Sequence, residues 1–189
     1  VRDLLVETWH ATYDAIYGPE RVTAITDDWH SLPSLKRRLD QPGSEFLVAD
    51  DGRQLGGMAY ASADSAGTTV MLHQLYVLPA FQGRGIGGML LDEIIESFPD
   101  ATLFKLEVEE ANARAIGFYL SQDFVQSGRT ANCGAEQSGI PALLFERRRG
   151  RGQAAGAQDP SHRQGRRSGQ RRLPDPARRG PPGEPGQCH

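Results

Sequence analysis

The chain has 189 residues, a formal net charge of −3 and 38% hydrophobic residues, which allows one ordinary domain with a full core. No apolar run approaches the roughly 20 residues that cross a bilayer and no secretory signal opens the chain, so a membrane role is excluded and a cytoplasmic protein is expected. The two cysteines, Cys133 and Cys188, lack metal-like spacing, so neither a metal site nor a disulfide framework is expected.

The elements alternate along the chain. Leu4, Leu5, Thr8, Trp9, Thr12 and Ile16 recur at helical spacing up to Gly18-Pro19, and a second helix is predicted from Pro33 to Leu39. Two strands follow, Glu45–Asp50 and Gln54–Ser62, joined by a tight turn at Asp51-Gly52. A third strand runs over Thr69–Leu78. The stretch Gly83-Arg84-Gly85-Ile86-Gly87-Gly88 then opens a helix over Gly85–Ser97, which Pro99-Asp100 stops. Thr102–Glu109 reads as a strand, Ala111–Gln122 as a helix, and Phe124–Thr130 and Ile140–Arg147 as the last strands. This order predicts an α/β (α+β) sandwich with a mixed sheet. Met58, Met71 and Met89 are expected to fill the core.

The small net charge conceals a division. Residues 1–146 hold 21 acidic and 10 basic residues, about −11, whereas residues 147–189 hold 3 and 11, about +8. From Gly150 on there is no Phe, Tyr, Trp, Ile, Val or Met. Such a composition cannot bury enough apolar surface to offset the entropy of ordering. The expected organisation is a folded domain over residues 1–148 and a disordered Arg/Gly/Pro-rich tail over 149–189. The tail has no aromatics for base stacking, so nucleic-acid binding is not expected.

The glycine stretch carries the chemistry. A strand, a glycine loop and a helix start form a cradle for a phosphate-bearing ligand, because the helix N-terminus has unpaired N–H groups and about half a positive charge. Glycines let that backbone approach closely. Gly83-x-Gly85-x-x-Gly88 also fits the dinucleotide fingerprint, and Glu107 lies near its acidic offset. However, Leu78-Pro79-Ala80-Phe81-Gln82 separates strand from glycines, and a hairpin of antiparallel strands precedes them. A Walker loop is excluded, since no Gly-Lys-Ser/Thr follows.

Val77-x-Pro79-x-x-Gln82-x-Arg84-Gly85-x-Gly87 resembles the acetyl-CoA motif of the GNAT N-acetyltransferase superfamily. Leu106-Glu107-Val108 followed by Asn112, Ala115, Ile116 and Tyr119 resembles that family's second element, as it stands in ribosomal-protein alanine N-acetyltransferases. The resemblance spans about residues 45–146. It implies a mixed, mostly antiparallel sheet flanked by helices, and a leading strand that this chain is expected to lack. It implies acetyl-CoA as co-substrate, held by Gln82, Gly83, Arg84, Gly85, Ile86, Gly87 and Gly88, by the backbone of Leu75, Tyr76 and Val77, and by Asn112. Asn112 also suits a plain helix N-cap.

The acceptor implied is a primary amine, on a small molecule or a peptide N-terminus. The acidic body favours a cationic one. A base must first take a proton from a group of pKa near 10. Glu107 is the family's proposed base; Glu109, His73 and a water chain are the alternatives, and a solvated strand carboxylate is the plain reading of Glu107. Tyr119 matches the family's acid, which protonates the departing thiolate; otherwise it packs with Phe118. Trp9, Tyr13, Trp29 and His30 could line the acceptor pocket or fill the core. Cys133 falls in a polar loop. Asp123 stands where the family has a glycine of positive φ. Assembly as a homodimer is compatible with the resemblance. The alternative function is a non-catalytic CoA-binding regulatory module.

Overall fold

Three helices precede the sheet in the computed structural model, which describes residues 1–134 and 138–150. The rest of the basic tail expected to be disordered lies outside the described residues. Helix α1 (Arg2–Tyr17) buries Leu4, Leu5, Thr8, Trp9 and Tyr13 along one stripe. Helix α2 (Pro19–Trp29) follows at once, where sequence reading expected only a stop. Gly18-Pro19 both ends α1 and starts α2, because proline at the first helical position forfeits an N–H that position cannot use. Val22 and Thr26, one turn apart, are its buried residues. Helix α3 (Leu32–Leu39) is capped by Ser31, whose hydroxyl oxygen accepts from the Ser34 amide at 3.4 Å.

Among the described residues the six strands are β1 (Ser44–Asp50), β2 (Leu55–Ala63), β3 (Thr69–Val77), β4 (Leu103–Glu109), β5 (Val125–Thr130) and β6 (Ala142–Arg148), with helices α4 (Ile86–Ser97) and α5 (Ala113–Ser121) between them. The sheet order is β1-β2-β3-β4-β6-β5. Only β3 and β4 pair in parallel; every other neighbour is antiparallel. The fold is therefore the expected mixed, mostly antiparallel sheet flanked by helices. One face packs Ala59, Ala61, Val70, Leu72, Phe104, Leu106 and Val108 against α4 and α5. The other packs Met58, Tyr60 and Tyr76 against Leu5, Trp9 and Val22 of α1 and α2.

A β-bulge in β3 decides where these faces change over. Tyr60 of β2 pairs with Gln74 but Ala61 pairs with Leu72, so His73 is an extra residue. Before it, Val70 and Leu72 face α4; after it, Leu75 and Val77 take that face, and Tyr76 turns to α1. A bulge also bends its strand and raises its twist. The β3–β4 ladder accordingly runs from Thr69↔Leu103 only to Leu72↔Leu106. Beyond that point the two strands part, while β4 stays paired with β6 through Glu109.

Helix α4 sits close on the sheet because of Gly57. A Cβ there would lie 2.9 Å from the Tyr76 carbonyl oxygen and 3.1 Å from Leu90 Cδ1. Leu90, Leu91 and Ile94 are the buried residues of α4. Met89, expected in the core, instead points outward and is 61% exposed, being on the opposite side of the helix. The last turn of α4 is closed from afar. The Arg149 guanidinium donates to the carbonyls of Ile95, Phe98 and Pro99 and lies over the Phe104 ring, complementing the negative helix end. This contact holds Arg149, the first residue of the compositional tail, against the packed body.

Candidate active site

Where β3 and β4 part, a cleft of about 700 Å³ opens. Leu75, Tyr76 and Val77 form its floor. Among the described residues, no strand pairs with β3 on the β4 side beyond Leu72, which leaves room along the strand for an extended ligand.

The loop at one end is fixed by short-range contacts. A 3-10 turn over Pro79–Phe81 follows β3, and the Phe81 ring rests on Gly56, where a Cβ would come within 2.8 Å of it. The Gln82 side-chain amide donates to the Val77 carbonyl at 2.8 Å, fastening the loop to the strand end. Gly83 and Gly85 have φ of 76° and 80°, a conformation that side chains resist. The first α4 hydrogen bond of the ladder runs from the Met89 amide to the Gly85 carbonyl, 3.0 Å. The amides of Gly85, Ile86, Gly87 and Gly88 thus precede the ladder, and all four residues line the cleft together with Gln82 and Gly83. Amides so placed at a helix start can hold an anion. Arg84 does not line the cleft. It is exposed, with its guanidinium 5.1 Å from the Phe81 ring centre.

Helix α5 forms the facing wall through Asn112, Phe118 and Tyr119. Asn112 caps it, its Oδ1 accepting from the Ala115 amide at 3.1 Å. Tyr119 is 2% exposed and lies between Phe118 and Phe124, at 5.1 and 5.7 Å between ring centres. Burial first, then the neighbouring Tyr76 and Tyr13, hold its phenol well above the ordinary pKa, so it stays protonated at neutral pH. Helix α1 closes the cleft with Thr8, Trp9, Thr12, Tyr13 and Ile16. The Trp9 indole donates to the Tyr76 hydroxyl at 3.1 Å, and the Asn112 amide donates to the Tyr13 hydroxyl at 3.3 Å.

The structure therefore brings Leu75, Tyr76, Val77, Gln82, Gly83, Gly85, Ile86, Gly87, Gly88, Asn112 and Tyr119 around one cavity, and leaves Arg84 and Glu107 off its wall. Glu107 instead accepts from the Gly134 amide at 2.8 Å. Glu109, on the same face of β4, is 2% exposed and accepts from the Tyr17 hydroxyl and the Ala111 amide, both at 2.9 Å. His73 bonds Ser62 Oγ through Nε2 at 2.7 Å and stacks on Tyr60. Burial and then Arg38 depress its pKa to about 4, and it is not a cleft residue. Trp29 and His30 also stand off the cleft. Both pack against Trp9, at 5.5 and 5.8 Å, so of the four aromatic candidates only Trp9 and Tyr13 reach the cavity. Cys133 lies in the loop between β5 and β6, as expected, and is wholly buried there against Ile140 and Ala142. Sequence reading missed Thr8 and Thr12 as wall residues; their position on the stripe shared by Trp9 and Tyr13 was the available signal.

The layout defines an α/β class in which a mixed sheet opens between its two parallel strands beside a glycine-rich helix start. Residues 2–124 match the acetyltransferase (GNAT) family, and the chain belongs to that family. It is an N-acetyltransferase-type acyltransferase by membership. It is 36% identical over 125 residues to Rv2775 of Mycobacterium tuberculosis, a protein named "Probable N-acetyltransferase", in a match that covers 65% of this chain and 71% of that protein. It is 33% identical over 108 residues to the N-alpha-acetyltransferase RimI of the same organism, covering 55% and 66%. In fold it is similar to the PaiA N-acetyltransferase of Thermoplasma acidophilum, solved in complex with coenzyme A, with a TM-score of 0.66 and 21% identity over 78% of this chain and 90% of that one. No helix among the described residues is long and apolar enough to cross a membrane.

Proposed function

We propose that the chain moves an acetyl group from acetyl-CoA to a primary amine by direct attack, with Tyr119 as general acid. The observation that carries this is one cavity lined at one end by the free amides of Gly85–Gly88 and at its wall by a buried, protonated Tyr119. The residues fit the donor. A pyrophosphate needs several N–H groups at once, and a helix start without Cβ atoms at three of four positions supplies them. Exposed Arg84 adds a salt-sensitive charge contact from outside. The cleft floor along β3 at Leu75–Val77 gives the extended pantetheine arm a strand to lie against. When bound, the donor supplies an acyl carbon activated by a good leaving group.

The amine attacks that carbon as its C–S bond breaks. Tyr119 gives its proton to the departing sulfur, whose thiol pKa is about 8.5 by analogy with cysteine. The amine's own proton leaves to a carboxylate of β4, Glu107 by the family resemblance, or to a water it holds. The acceptor is a small-molecule amine or a peptide N-terminus. The relative named as an N-alpha-acetyltransferase supports the latter, and the acidic body supports a cationic acceptor.

Two measurements test this. Acetyl-CoA at a hundredfold excess over Kd should stabilise the fold by about 2.7 kcal/mol, and absence of any shift would rule out the donor. Thiol release across a panel of primary amines separates an enzyme from a CoA-binding module. Tyr119→Phe should lower kcat by at least ~100-fold while the KM for acetyl-CoA holds; an unchanged kcat would remove Tyr119 as the acid.

A further inference from the structure

The cleft has a charge pattern unlike that of the body around it. Residues 1–146 hold 21 acidic and 10 basic residues, about −11. Yet among the described residues no carboxylate lines the cleft, and Arg114 is the one side chain of full charge on its wall. Arg114 is the second residue of α5, two positions past the cap Asn112. It is exposed, and among the described residues no acidic group forms an ion pair with it. Its place relative to the glycine loop is set through Phe118. A Cβ on Gly87 would lie 3.4 Å from that ring, so α5 meets the start of α4 there. Arg114 stands four residues before Phe118, one turn along the same helix face. The cation and the amides of Gly85–Gly88 therefore border one cavity from two different helices. Arg84, the cation that sequence reading gave to the donor, is off the wall with its guanidinium against the Phe81 ring. Arg114 escaped that reading because it fills an unspecified position between Asn112 and Ala115.

We propose that Arg114 is the donor-binding cation of the cleft: its guanidinium holds a phosphate group of coenzyme A from the α5 wall, across from the glycine loop. This rests on the reading of the cleft as a coenzyme A site. The amides of a helix start offer only about half a positive charge, and the donor's phosphates approach against the field of an acidic body. A planar guanidinium takes phosphate oxygens in pairs. On a wall free of carboxylates it has no competing partner, so its charge is directed to the ligand.

The test is calorimetric titration of the full chain with coenzyme A, and then with dephospho-coenzyme A. Arg114→Ala should raise the Kd for coenzyme A about tenfold and make it less sensitive to NaCl. The Tm of the ligand-free chain should hold, because alanine suits an exposed helix position. Arg114→Lys keeps the charge and should lose less affinity than Arg114→Ala. Arg129→Ala removes an equal charge from β5, away from the cleft, and should bind as the wild type does. The second ligand names the phosphate. A loss in Arg114→Ala that persists with dephospho-coenzyme A assigns Arg114 to the pyrophosphate; a loss that vanishes with it assigns Arg114 to the 3′-phosphate. Wild-type Kd for coenzyme A in Arg114→Ala overturns the proposal, as does an equal loss in Arg129→Ala, which would make the effect one of net charge. No binding of coenzyme A by the wild-type chain removes the donor reading itself, and the role of Arg114 falls with it.

Discussion

His30 shows how a single residue couples this fold to pH. It is fully buried, neither ring nitrogen has a hydrogen-bond partner among the described residues, and the ring packs edge-on against Trp9 and Tyr76. Desolvation, then the charges of Arg38 and Arg2, lower its pKa from 6.5 to about 3. The unfolded chain binds a proton below pH 6.5 that the folded chain refuses until about pH 3. Stability is therefore full above pH 6.5 and falls with acidification, by about 1.4 kcal/mol per pH unit. His73, lowered to about 4, adds a similar slope over its own window. Urea unfolding between pH 6 and pH 4.5 should show stability dropping by about 2–3 kcal/mol per unit. His30→Leu should remove roughly half of that dependence; the same slope in the variant would contradict this account. From sequence His30 was equally a pocket or a core residue. Only its distance from the cleft, behind Trp9, assigns it to the core. Tyr119 was legible earlier, because its spacing from Glu107 and Asn112 reproduces a family pattern. Glu107 shows the limit of such spacing: the same pattern gave no hint that its carboxylate would be engaged by the Gly134 amide.

Among the elements, α5 and α4 carry the most informative junctions. Helix α5 ends with Asp123 at φ 63°, and the Phe124 amide turns back to the Tyr119 carbonyl at 3.1 Å. This is a left-handed helix stop, and a residue with a Cβ is strained there. Asp123→Gly should stabilise the protein by about 0.5–1 kcal/mol and raise Tm by a few degrees; a lower Tm would show that the Asp side chain compensates. Gly57 makes the opposite case. A methyl group placed there meets a backbone oxygen at 2.9 Å, so α4 or β3 must move. Gly57→Ala should cost about 1–3 kcal/mol and weaken acetyl-CoA binding as well, because that oxygen belongs to Tyr76 on the cleft floor. Intact binding with full stability would show that α4 can shift freely. Sequence periodicity identified α1, α4 and α5 and all six strands to within about two residues. It missed α2, whose start signal was hidden inside a stop signal at Gly18-Pro19.

At the scale of the whole molecule, function depends on two packed faces exchanging roles along one strand. The bulge at His73 ends the β3–β4 ladder and turns Tyr76 toward α1, so the cleft is bounded by residues up to about a hundred positions apart. Donor binding should accordingly protect a discontinuous set of amides. Hydrogen exchange with acetyl-CoA present should slow at Gly83–Gly88 and at Leu75–Val77 and leave β5 unaffected; protection centred on β5 would place the donor elsewhere. The sequence by itself determined the family, the glycine cradle and the acid candidate, because each is written in a short run of residues whose local geometry suffices for its role. It also determined the α/β class, since helical and strand periods are local properties. Only the tertiary structure decided that Arg84 and Glu107 stand off the cleft wall, and that Asn112 of α5 donates to the Tyr13 hydroxyl of α1. Those outcomes depend on one extra residue in β3 and on how α1 crosses it, and a side chain's neighbours across a sheet are set by register and packing, not by its neighbours in the chain.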